Sequence, residues 1–158
     1  MKFKLFVLLF VLAVVSARLS LLSAGDAAVP RTVKIRAGVD NAMKFDVTSI
    51  PAAPGEMIKV VLTNAMTLPK DVMGHNWILL TAGSDPVAFA AAAASDAASG
   101  YIPSKLKDKI IAFIALLGPN EVGEVTFKAP TEPGEYPFLC SFPAHCLIGM
   151  KGVVVVKK

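Results

Sequence analysis

Histidine and cysteine are scarce in this chain, with two of each among 158 residues and a single tryptophan. Two imidazoles can serve one transition-metal centre, and a multi-centre metal enzyme needs more. Basic residues do not cluster. Arg31, Lys34, Arg36, Lys105, Lys107, Lys109, Lys157 and Lys158 are scattered among acids or confined to the ends, so no nucleic-acid surface is expected. No apolar run reaches the ~20 residues of a membrane-spanning helix, because the run from Leu5 to Val15 stops at Ser16. There is no internal repeat, and the length suits one domain with a real hydrophobic core.

The amino terminus differs from the rest. Lys2 and Lys4 precede that apolar run, and small residues follow in Val15-Ser16-Ala17 and Leu22-Ser23-Ala24, which reads as a secretory signal peptide over residues 1–24. An uncleaved membrane anchor is the alternative, and it would have to place Arg18 inside the span. No cysteine near the cleavage region offers a site for lipid attachment. Residues 1–24 hold three of the sixteen basic groups and no acid, so without them the formal charge falls from +4 to +1. A periplasmic or other extracytoplasmic location is expected, with a short tether over 25–31 and one domain over 32–158.

From Arg31 onward, short β-rich runs are separated by turn residues. Strands are expected around Val33–Arg36, Lys44–Val47, Ile58–Leu62, Asn76–Thr81, Lys109–Leu117, Val122–Lys128, Gly134–Cys140 and Gly152–Lys158. In the fourth, Trp77 and Leu79 alternate with Ile78 and Leu80, so both faces are expected to be covered. Pro86–Ser99 is mostly alanine, with Asp85 as N-cap, Pro86 at the first helical position and Gly100 as the stop. The expected fold is all-β: a Greek-key sandwich of about eight strands with one alanine-rich helical insertion.

The chemistry is concentrated in two places. His75 stands in Met73-Gly74-His75-Asn76-Trp77 at a strand entrance. Cys140, His145 and Met150 lie within eleven residues, Cys140-Ser141-Phe142-Pro143-Ala144-His145-Cys146-Leu147-Ile148-Gly149-Met150. Tyr136, Phe138 and Cys140 share one face at spacing two, which puts the thiol on the aromatic, core-facing side. Pro143 and Gly149 let the loop turn back so that His145 and Met150 converge on it. A thiolate, two imidazoles and a weak thioether make a trigonal site suited to copper electron transfer. Soft sulfur favours Cu(I), imidazole suits either state, and a stiff sandwich limits rearrangement when the charge changes.

These two segments resemble the small blue-copper proteins, or cupredoxins, and most closely their azurin and auracyanin branches. The stretch Leu68-Pro69-Lys70-Asp71-Val72-Met73-Gly74-His75-Asn76-Trp77 matches the azurin pattern around its first histidine ligand, and Cys140-Ser141-Phe142-Pro143-Ala144-His145 matches its ligand loop. The resemblance runs from about Val33 to Lys157. It implies one type 1 copper held by His75, Cys140, His145 and Met150, with the alanine-rich insertion matching the family's helical flap. Four residues separate His145 from Met150, as in auracyanin and unlike azurin. A single axial ligand, Met150, is therefore expected, the Gly74 carbonyl being the weak fifth ligand that azurin would imply. Azurin's distant disulfide is absent.

The resemblance also suggests that Asn76 ties the ligand-bearing segments together through Ser141, and that Phe142 offers its backbone N–H to the Cys140 sulfur. Trp77 is read as core packing. Cys146 is expected to be a small hydrophobe beside the site; the competing reading, a Cys140–Cys146 disulfide, would consume the ligand thiol.

The resulting expectation is a non-enzymatic single-electron carrier, monomeric, meeting redox-protein donors and acceptors through a transient apolar patch around a solvent-facing His145. Met43, Leu68, Val72, Met73, Phe142, Pro143 and Ala144 are the patch candidates, with core packing the competing role for Met43. Copper storage or delivery is the alternative function, but the six methionines do not cluster and there are no further cysteines to support it. A Cys-His hydrolase lacks an orienting acid and an oxyanion element.

Overall fold

Eight short strands rich in apolar residues build two facing sheets in the computed structural model, which describes residues 29–158. The signal peptide expected over 1–24, and most of the tether, lie outside the described residues. The tether ends earlier than expected, because Arg31 already belongs to the first strand. The strands are β1 (Arg31–Ala37), β2 (Ser49–Ala52), β3 (Met57–Asn64), β4 (His75–Leu80), β5 (Ile110–Leu117), β6 (Val122–Lys128), β7 (Gly134–Leu139) and β8 (Lys151–Val156). One sheet has the order β1-β3-β6 and the other β2-β8-β7-β4-β5. β1 runs parallel to β3 and β2 parallel to β8, and the other pairings are antiparallel.

The core between the sheets is built from Ile35, Val60, Leu62, Trp77, Leu79, Phe127, Phe138 and Val154, all buried. Trp77 lies between Phe138 and Phe127, with ring centroids 5.4 and 6.0 Å away. On the other face of β4, Ile78 and Leu80 join Leu139, Phe89 and Cys146 in a second apolar cluster. Every residue of β4 is buried, since a sheet lies on one side and the helical insertion on the other. Gly152 allows β8 to pass close to the core, where a Cβ would stand 2.3 Å from the Phe138 ring and 2.4 Å from the Thr48 carbonyl.

Two expected elements are displaced. Lys44–Val47 is not a strand, and Phe45 makes only an isolated bridge to Ala37. The second strand is instead Ser49–Ala52, which Pro51 disguises in the sequence. β2 is an edge strand, where a missing N–H is tolerated. The alanine-rich helix is also shorter than expected. α2 covers Pro86–Ala93, capped by the Asp85 carboxylate, which accepts from the Val87 and Ala88 N–H groups. A separate short turn over Ala97–Ser99 follows, and it is this turn that Gly100 ends, with φ +66°.

Candidate metal centre

His75 opens β4 and Cys140 directly follows β7, two strands that pair with each other. One turn of helix, α1 (Lys70–Met73), delivers the chain to His75. Gly74 has no room for a side chain there, because a Cβ would stand 2.4 Å from the Lys70 carbonyl. Beyond Cys140 the loop coils back on itself. The His145 N–H donates to the Phe142 carbonyl at 3.1 Å and the Met150 N–H to the His145 carbonyl at 2.9 Å. The Cys140 N–H then donates to the Met150 carbonyl at 3.0 Å, which closes the loop and brings its two ends side by side. Gly149 takes φ +109° and Ala144 φ +69° to make these turns.

The donor atoms converge. Cys140 Sγ lies 3.5 Å from His145 Nδ1 and 3.9 Å from His75 Nδ1, and the imidazole centroids are 4.8 Å apart. His75, Cys140 and Met150 are fully buried and His145 is 3% exposed. A trigonal first-row ion bonded to sulfur at about 2.3 Å and nitrogen at about 2.0 Å sets those atoms about 3.7 Å apart, so the triad fits one ion.

Electrostatics point the same way. Burial pushes the His75 imidazole down to about 4, with a smaller contribution from His145, and burial alone brings His145 down to about 4. Both rings are therefore neutral at pH 7, with a nitrogen lone pair available to a metal. Burial pushes the Cys140 thiol up to about 12, although the backbone N–H groups of Asn76 and Phe142 beside it act in the opposite direction. A thiol held neutral in this way loses its proton when a cation takes its place.

Residues 32–157 match the family described as copper binding proteins, plastocyanin/azurin family. The chain belongs to that family. Auracyanin-B of Chloroflexus aurantiacus is 35% identical over 127 residues, covering 80% of this chain and 52% of that protein. The chain thus spans about half the length of that relative. Azurin of Pseudomonas fluorescens biotype C is 37% identical over 131 residues, covering 78% of this chain and 98% of the azurin. Among solved structures, auracyanin B superposes with a TM-score of 0.71 at 33% identity, covering 82% of this chain and 91% of that one. Reduced auracyanin from Roseiflexus castenholzii gives 0.69 at 32% identity, covering 80% and 97%. In this member of the plastocyanin/azurin family, His75, Cys140 and His145 with Met150 form the type 1 copper site.

The surroundings of the site differ in part from the sequence expectations. Asn76 Nδ2 donates to Ser141 Oγ at 2.8 Å and to the Gly100 carbonyl at 3.2 Å, while its Oδ1 accepts from the Ser141 N–H at 2.8 Å. The bond to Gly100 was not legible in the sequence. Phe142, expected on the exposed patch, is buried between Tyr101 and His145. His145 is 3% exposed, more enclosed than the solvent-facing ligand expected, with the Phe142 ring against it. Met43, Leu68, Val72 and Ala144 are exposed, and Met73 and Pro143 half-buried. Leu147 and Ile148 are also exposed on the ligand loop, where apolar residues beside a buried ligand carry no sequence signal of exposure. Both cysteines are free thiols, and Cys146 is buried in the cluster under α2 with its thiol against the Pro86 carbonyl at 3.4 Å.

Proposed function

We propose that this chain is an exported carrier of single electrons, working in the periplasm or another extracytoplasmic space once residues 1–24 are removed. The observation that carries the reading is a buried triad whose donor atoms already stand within 4.8 Å of one another. Copper bound there supplies the Cu(I)/Cu(II) couple. The protein's part is to resist rearrangement. Cys140 and His75 are fixed by paired strands, His145 and Met150 by the hydrogen-bonded coil of the loop, and all four by burial. The backbone N–H groups of Asn76 and Phe142 beside the Cys140 sulfur and a dry apolar surround then set the balance between the oxidation states.

Partners meet the molecule where the site lies nearest the surface. Met43, Leu68, Val72 and Ala144 supply exposed apolar area around the half-buried Met73 and Pro143, and Leu147 and Ile148 extend it along the ligand loop. Such a patch suits brief encounters of a monomer with redox-protein donors and acceptors.

Adding Cu(II) to the purified protein tests the proposal. An intense visible thiolate-to-copper absorption, bleached by reductant and restored by oxidant, is expected; a colourless copper adduct refutes it. Cys140→Ser removes the colour and Cys146→Ser keeps it. Zinc competes for the same donors, so metal content is measured on the same samples.

A further inference from the structure

We infer that Tyr101 is a positioning residue of the copper site: its ring, carried on a left-handed backbone turn, holds Phe142 against His145 and keeps water from that flank of the imidazole. Tyr101 takes φ +63°, immediately after Gly100 at φ +66°. Such a conformation is strained for an aromatic residue. Two successive carbonyls are thereby turned toward the site, that of Gly100 accepting from Asn76 Nδ2 at 3.2 Å and that of Tyr101 from Ser141 Oγ at 2.5 Å. The Tyr101 N–H donates to the Asp96 carbonyl at 3.0 Å and closes the turn.

Glycine would make this turn without steric cost, so the backbone explains the conformation but not the tyrosine. The ring does. It meets Phe142 edge-on, with centroids 5.0 Å apart at 67°, and Phe142 in turn lies 4.7 Å from the His145 ring. Three rings thus run in series from the end of the helical insertion to a copper ligand. Tyr101 also lines a surface hollow with Lys70, Ser99, Gly100 and Leu116. Tyr101 thus borders that hollow and also packs on Phe142, so on this inference loss of its ring opens a route for water toward His145. Water near the site favours the more highly charged Cu(II) state.

The inference rests on the copper-carrier reading, and the test separates the two. Tyr101→Gly suits the left-handed backbone and deletes the whole side chain, ring included, so it is compatible with folding; Tyr101→Phe keeps the ring and deletes the hydroxyl. In the metal-free full-length protein, NMR measures exchange of the His145 ring N–H with solvent. Tyr101→Gly is expected to speed that exchange by about tenfold, and Tyr101→Phe to leave it as in wild type. In the copper-loaded protein, Tyr101→Gly is expected to shift the Cu(I):Cu(II) ratio at fixed potential about threefold toward Cu(II), which is about 30 mV. Wild-type exchange and potential in Tyr101→Gly overturn the inference, even if stability changes. Equal effects from Tyr101→Phe and Tyr101→Gly also overturn it. Because ring exchange is read without metal, a failure of the carrier reading leaves that result to stand or fall separately.

Discussion

Truncating Asn76 to alanine removes three hydrogen bonds that join the His75 strand, the ligand loop and the end of the helical insertion. Each is worth about 1 kcal/mol net, and a buried partner left unsatisfied costs about 1–3 kcal/mol. The Ser141 N–H is such a partner, buried at the edge of the metal site. The expected loss is about 3–5 kcal/mol, a large part of the ~5–15 kcal/mol that stabilises an ordinary domain. For a chain of this size that lowers the thermal midpoint by about 10–15 °C. The measurement is thermal and urea unfolding of the metal-free protein, followed by Ser141→Ala and the double variant. Ser141 Oγ also donates to Tyr101, so both substitutions break one network, and the double variant should lose less than the sum by about 0.5–3 kcal/mol. A loss below about 1 kcal/mol in Asn76→Ala, or strict additivity, would refute the view that this network clamps the site.

Ala144→Gly relieves a left-handed alanine at φ +69° and should stabilise the protein by about 1 kcal/mol, read as a higher urea midpoint. Gly152→Ala forces a Cβ into the Phe138 ring and the Thr48 carbonyl, and should cost about 1–3 kcal/mol in the same assay. The Glu56 carboxylate accepts from Arg31 and from the Ala53 N–H, which holds its pKa below the ordinary value of 4.5. Its contribution is therefore present above the unfolded-chain value and disappears as pH falls through the lower folded one. The pair is partly exposed, so the effect is below about 1 kcal/mol. Glu56→Gln should flatten the stability profile in that acid range, and an unchanged slope would count against the pairing.

Much of this architecture was legible in the sequence because one physical signal decided each part. Alternation located β1, β3 and β7, and the spacing of Tyr136, Phe138 and Cys140 placed the thiol on the core side, where the structure has it. Asp85 and Pro86 announced the start of α2 through capping chemistry that acts within a few residues. The failures share a different cause. β2 is held by parallel pairing with β8, about a hundred residues away in sequence, and Pro51 argues locally against a strand. Alanine content promised a longer helix, but composition cannot show where packing stops, and α2 ends at Ala93. The placement of Tyr101 beside Phe142 joins an insertion to a loop forty residues later, and no local pattern encodes such a contact.

The two thiols occupy separate apolar compartments, Cys140 between the sheets and Cys146 beneath α2, with exposures of 0% and 1%. Burial raises both pKa values, so each sulfur is kept in its unreactive protonated form. To join them, the ligand loop would have to peel away from one compartment or the other. In the folded chain this separation disfavours a bond between the two sulfurs and leaves that of Cys140 free for the metal.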